Sequence, residues 1–257
     1  MRFHDIHCHL PDNYFFKKIE IFMQEWKKIG LEYIVSVASK LSESLRSIEL
    51  HKRFTEIIPG IGIHPWSAKK SLTDDLKNRF NQIIQKIHPL VLGEIGLDHH
   101  FIKNKEYYPY QKETFQFFLH LAEKNNLPLN IHPKGAEELV YETLGTYDIP
   151  NHNVLIHWYT GPIAILEKLI EREYFFSINP SILGGSKHIS VLEKVDLKHI
   201  LTESDGNVKY TINNERIVGS PALIPNLIEK ICEVKKKDIS EISNNLQSNL
   251  RKYLNIR

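Results

Sequence analysis

Short runs of β-branched and other apolar residues alternate along this chain with longer stretches whose apolar positions recur at helical spacing. The short runs are RFHDIHC (from Arg2), LEYIVSVA (from Leu31), EIIPGIGI (from Glu56), PLVLGEIG (from Pro89), LPLNIH (from Leu127), NVLIHW (from Asn153), YFFSINP (from Tyr174) and HILTESD (from His199). They predict eight strands. The longer stretches carry helix punctuation. Gly30 stops FFKKIEIFMQEWKKI, and Ser71 with Asp74 gives SLTDDLKNRFNQIIQKI the spacing of a helix start. Pro109 stands near the start of PYQKETFQFFLHLAEKNN, and KDISEISNNLQSNLRKYLN reads as a last helix laid against the outside.

Strand followed by helix, eight times over 257 residues in one domain (1–257), is the pattern of an α/β (β/α)8 TIM barrel. A doubly wound open sheet competes, but no glycine-rich phosphate loop follows the first strand.

Catalytic groups of such barrels gather at the C-terminal ends of the strands, on residues that alternate inward. His7 and His9 share parity at the end of the first strand, and the third runs into Gly62-Ile63-His64-Pro65-Trp66. The fourth ends in Gly93-Glu94-Ile95-Gly96-Leu97-Asp98, the fifth on His132, the sixth on His157 and the eighth on Glu203-Ser204-Asp205. Each alone has a plain explanation: a hydrogen-bonded histidine, a helix cap, a turn at Asp205-Gly206. Together at one barrel mouth, buried carboxylates require a cation and neutral imidazoles require an acceptor for their lone pairs. Divalent metal satisfies both, so two histidines one residue apart face the same way in order to grip it. His4, His51, His88, His120, His152, His188 and His199 fall on strand starts, helix faces or loops and read as structural or exposed. His99 and His100 read as loop residues, and Cys8, of opposite parity to its neighbours, should face the helices.

Composition narrows the setting. With 42% hydrophobic and 25% charged residues the chain is an ordinary globular one, and a net charge of +2 argues against a strongly basic binding surface. The run Lys235-Lys236-Lys237 reads as a solvated helix junction. Two cysteines, Cys8 and Cys232, with no CxxC pair exclude a disulfide framework and a thiolate zinc site, and fit a reducing compartment. No segment reads as a signal peptide or a membrane span, so the cytoplasm is expected.

The ordered set H-x-H, G-I-H-P, G-E-I-G-L-D, a glutamine-led helix from Gln111 to Ala122, I-H, I-H-W-Y-T-G and T-E-S-D resembles the TatD family of metal-dependent deoxyribonucleases across essentially the whole chain. The resemblance implies an amidohydrolase-type barrel with two divalent ions, or three; zinc, magnesium and manganese all suit the donors. It gives metal-ligand roles to His7, His9, Glu94, His132, His157 and Asp205, with Glu203 a carboxylate beside the centre counted with the metal set. His64 matches a histidine near the scissile phosphate. The chain departs from the family pattern at Lys134, where arginine is usual, at Pro11-Asp12 after the first strand, and at Gly206-Asn207 after the last aspartate. Lysine keeps the charge but loses the bidentate fork. H-W-Y-T-G, S-I-N-P and T-E-S-D-G together look closest to the TatD-like nucleases of Qat-type anti-phage systems, which implies protein partners.

The expected reaction is phosphodiester hydrolysis of DNA from single-stranded ends, with Glu94 bridging the ions and Asp205 as general base. His64 and Lys134 stabilise phosphate oxygens, and Trp66, Trp158 and Tyr159 stack bases unless they merely pack locally. Asn179 either binds substrate or caps the next segment. The same donors serve amidases and lactonases, where a bridging lysine would replace Glu94 in the amidase case. A non-catalytic barrel predicts lost ligands, and none is missing.

Overall fold

The computed structural model describes residues 1–88, 90–185 and 188–256. Its eight barrel strands are β1 (Phe3–Cys8), β2 (Leu31–Ser36), β3 (Ile57–Ile61), β4 (Val91–Gly96), β5 (Leu129–His132), β6 (Val154–Ile156), β7 (Phe175–Ile178) and β8 (Ile200–Thr202). All pair in parallel and in sequence order, as expected of the barrel. Pro89, the expected start of the fourth strand, lies outside the described residues.

The ring closes between β8 and β1 by individual bonds. Thr202 Oγ1 donates to His4 O (2.7 Å), Asp205 N to His7 O (3.0 Å) and His9 N to Gly206 O (2.7 Å). The seam therefore runs through the residues that carry the candidate chemistry.

One buried cluster takes Ile6, Val35, Ile58, Val91, Leu155, Phe175 and Leu201 from seven different strands, which only the barrel interior can bring together. Leu250, Tyr253 and Leu254 of the helix Ile239–Leu254 join it. Tyr253 Oη donates to Leu129 O (3.0 Å), and Asn249 Nδ2 donates to Ile200 O (2.7 Å); both acceptors begin strands. The last helix thus plugs the N-terminal end of the barrel rather than lying along its outside, because its apolar face continues to its final turn. A larger cluster, Cys8 among it, fills the layer between strands and helices.

Local punctuation follows the sequence with two corrections. Gly30 ends the helix Ile19–Ile29 at φ 111°, and Pro109 sits in the first turn of Tyr108–Asn125. The helix Asp74–Ile84 is capped by Thr73, whose Oγ1 accepts from Leu76 N (3.3 Å), not by Ser71. FFKKIEIFMQEWKKI is two helices, Asn13–Phe16 and Ile19–Ile29, since Asp12 caps the first by accepting from Tyr14 N. Beyond β8 a hairpin of β9 (Lys209–Ile212) and β10 (Glu215–Val218) rises beside the mouth, an element the strand pattern did not announce.

Gly96 is required where β4 meets β5. At φ 141° its Cα approaches β5 so closely that a Cβ would stand 2.1 Å from His132 O.

Candidate metal centre

Each expected donor leaves its strand at the same end. His7 lies in β1 with His9 just past it, Glu94 lies in β4, His132 ends β5, and His64, His157 and Asp205 follow β3, β6 and β8 closely. Asp205 has φ 43°, a conformation that a non-glycine residue holds only where its surroundings enforce it. Its amide bond to His7 O supplies that constraint.

Glu94 divides the cluster between its two oxygens. Oε2 lies 3.5 Å from His7 Nε2 and 3.3 Å from His9 Nε2, and those two nitrogens are 3.3 Å apart. Asp205 Oδ1 completes this group at 3.5 Å from His7 Nε2 and 3.6 Å from His9 Nε2. Donors bound tetrahedrally at roughly 2.0–2.1 Å stand about 3.3–3.4 Å from one another, so the spacing suits one small divalent ion. Oε1 faces the other side, 2.8 Å from His132 Nδ1 and 3.9 Å from His157 Nε2; Asp205 Oδ2 is 3.9 Å from the same His157 nitrogen. These atoms form a second set of candidate donors, with Glu94 between the two sets.

The far nitrogen of each ring decides what the near one can offer. Asn130 Nδ2 donates to Ile6 O (3.0 Å), which leaves Asn130 Oδ1 to accept from His7 Nδ1 (2.8 Å). Glu203 Oε2 accepts from His157 Nδ1 (2.8 Å), and Asp98 Oδ2 accepts from His132 Nε2 (3.1 Å). When neutral, these three rings therefore turn lone pairs toward the centre. His64 is the reverse: its Nδ1 accepts from Trp66 N (3.1 Å), so Nε2–H points inward, 3.3 Å from Glu94 Oε1. Among the described residues three donor triples lie within 4.8 Å: His7–His9–Glu94, His64–Glu94–His132 and His7–His157–Glu203. Hydrogen-bond sense favours the first and places His64 and Glu203 around the metal donors, Glu203 as the group behind His157.

Electrostatics agree with a cation site. Burial opposes protonation of His7, yet Glu94, Asp205 and Glu203 raise it to about 10. His132 rises to about 9 against the same burial, through Asp98 and Glu94. Burial would raise Glu94, but His64, His7 and His132 hold it well below the usual carboxylate range. Burial dominates at His64 and lowers it, which keeps that ring neutral. The carboxylates collect positive charge whether it arrives as protons or as metal.

The centre floors a cavity of about 580 Å³. Trp66, Lys134 and Trp158 line it, joined by Phe101, whose ring meets Trp66 at 5.7 Å. Tyr159 does not: it is buried, and its hydroxyl donates to Pro162 O (2.7 Å), so no base can stack on it. Asn179 is also buried; it accepts from Ser181 N (3.1 Å) and donates to Glu203 Oε1 (3.2 Å), which is capping and support, not substrate contact. Two supporting residues carried no role in the sequence reading. Asp98 closed a recognised motif without a function, and Asn130 is the polar residue of an apolar strand, two positions before His132 and so of the same inward parity.

Barrel and site together fit a metal-dependent hydrolase. The profile described as TatD related DNase matches residues 4–255, and the chain belongs to that family. It is 27% identical to the "Uncharacterized metal-dependent hydrolase MJ1582" of Methanocaldococcus jannaschii, over all of this chain and 98% of the relative. To human "Deoxyribonuclease TATDN3" it is 26% identical, over 93% of this chain and 89% of that one. Its fold superposes on the crystal structure of the TatD homologue YJJV of Escherichia coli with a TM-score of 0.90 at 22% identity, covering 100% and 99% of the two chains.

Proposed function

We propose that this chain, acting as one domain over residues 1–257, hydrolyses phosphodiester bonds of DNA from single-stranded ends. His7, His9, Glu94, His132, His157 and Asp205 would hold two divalent ions. When bound, the ions supply Lewis acidity, which makes a water nucleophilic at neutral pH and neutralises charge on the phosphate.

The protein's own groups do the rest. Asp205, with an oxygen toward each half of the cluster, accepts the proton from the attacking water. His64 donates Nε2–H to a phosphate oxygen as negative charge grows there. Lys134, on the rim, adds a cation; Trp66 and Trp158 offer faces to bases. Glu203 and Asp98 hold His157 and His132 in the tautomers the ions need. The opposed hydrogen-bond sense of His64 carries this reading, since a proton donor beside a cation centre is what an anionic transition state calls for. A cavity of about 580 Å³ admits an unpaired nucleotide at a chain end and not a stacked duplex, which supports the single-strand preference. Two unpaired cysteines support a cytoplasmic setting, and the H-W-Y-T-G, S-I-N-P and T-E-S-D-G segments support the defence-system branch with partner proteins.

The test is a digestion time course on end-labelled single-stranded DNA in magnesium, manganese and zinc, comparing the native chain with Asp205→Asn. Stepwise shortening by the native chain alone is expected. If both proteins leave the DNA intact in every metal, the DNase reading fails.

A further inference from the structure

A second cavity, of about 790 Å³, opens beside the first between the helix Ile163–Glu171 and the helix Ile189–Lys194. The two share Lys134, Trp158 and Thr160. We propose that this second cavity receives the nucleoside on the far side of the scissile phosphate, so that the enzyme reads a chain of at least two nucleosides. The proposal rests on the DNase reading and adds to it a subsite and a direction.

The junction is built for an anion between two bases. Lys134 Nζ bonds Thr160 Oγ1, which fixes a cation and a hydroxyl where the cavities meet. Among the described residues lining either cavity, Lys134 is the single lysine. Past it, Ile163 (42% exposed) and Ile189 present apolar surface that suits a sugar and a base face.

Trp158 is the partition, and it is braced. Its backbone is left-handed at φ 37°, and its amide donates to Ser177 Oγ (3.3 Å). Its indole lies 5.6 Å from the ring of Tyr210 in β9, whose hydroxyl donates to Ser204 O (2.9 Å). A non-glycine residue keeps this backbone only under constraint, and the constraint sets an aromatic ring between two cavities directly after His157.

The opposite wall of the metal cavity has the wrong charge for a continuing backbone. Asp12 and Glu43 line it, and Lys40, which could offset them, pairs with Glu43 at 3.2 Å. A polyanion therefore ends at that wall and continues past Lys134 into the second cavity.

Isothermal titration of the slow His64→Ala chain, its ligand set intact, with manganese tests this, using thymidine 3′- and 5′-monophosphates and the dinucleotide d(TpT). The dinucleotide should bind about tenfold or more tighter than either monophosphate, the scale of one stacked base. Ile189→Trp fills the second cavity and Ile163→Glu places a carboxylate at its exposed edge; each should remove that advantage and leave monophosphate affinity within about twofold. Ile163 is exposed, so its variant keeps the test valid if Ile189→Trp does not fold. A dinucleotide advantage that survives Ile163→Glu, or monophosphate binding with no dinucleotide advantage, overturns the second subsite alone. Binding of neither nucleotide overturns the DNase reading and the subsite together.

Discussion

Trp66 N donates to Nδ1 of His64 across 3.1 Å, and this one backbone bond separates His64 from the neighbouring histidines. A ring whose Nδ1 accepts a proton cannot also offer a Nε2 lone pair while neutral. His64→Ala should therefore leave the metal content unchanged and lower kcat about 10²–10³-fold, the cost of one donor to a developing oxyanion. Elemental analysis of purified protein beside the rate decides it; loss of an ion in the variant would make His64 a ligand after all.

Asp98 Oδ2 accepts from His132 Nε2 at 3.1 Å and from Trp66 Nε1 at 2.6 Å, so one carboxylate oxygen holds both a candidate ligand and the rim indole. Asp98→Ala should weaken metal binding about 10- to 100-fold, as loss of a supporting carboxylate does. Trp66→Phe keeps an aromatic face and removes the N–H that Asp98 accepts, so metal affinity should persist. Competition titrations with a chelating dye measure both, and equal losses in the two variants would contradict this division of roles.

The strand–helix alternation and the convergence of His7, His9, Glu94, His132, His157 and Asp205 were legible because strand parity and strand ends are periodic properties of sequence. What was not legible depends on partners distant in the chain. Asn130 meets His7 and Glu203 meets His157 only once the barrel closes, and no spacing announces such pairs. Tyr159 was misplaced because a residue three beyond a strand end can turn outward to solvent or inward under the next helix; the bond to Pro162 O decides it. The hairpin of β9 and β10 was missed because KYTI and ERIV are short and polar at alternate positions, a pattern weaker than that of the barrel strands.

In the metal-free chain His7 at about 10 and His132 at about 9 carry protons at neutral pH. Metal must displace them, so affinity should rise with pH from about 7 to about 9, with roughly one to two protons released on loading. Calorimetry in two buffers of different ionisation enthalpy counts them. Both pKa values lie above the unfolded imidazole value, so their stabilisation is full below about 6.5 and is lost as pH rises through 9 to 10. Metal-free protein should therefore lose Tm in that range while loaded protein does not. Identical Tm profiles, or no released protons, would count against ionised rings in the empty cluster.

Asp5 offers a second pH dependence of opposite origin. Its Oδ1 accepts from His7 N (3.2 Å) and Ser204 N (2.9 Å), joining β1 to the segment after β8, while Oδ2 is buried with no hydrogen-bond partner among the described residues. Burial raises its pKa to about 7, against the bonds from Ser204 and His7. A carboxyl raised above its unfolded value imposes no penalty while both states are protonated, an increasing one as pH climbs from about 4 to about 7, and a constant one above. Asp5→Asn keeps the carbonyl acceptor and has no charge to bury. Its stability relative to the native chain should therefore improve steadily from about pH 5 to pH 7 and level off by about pH 8. Urea unfolding of the metal-free proteins across that range gives the difference directly. A difference independent of pH would mean that Asp5 is ionised in the folded barrel throughout, held by its two amides.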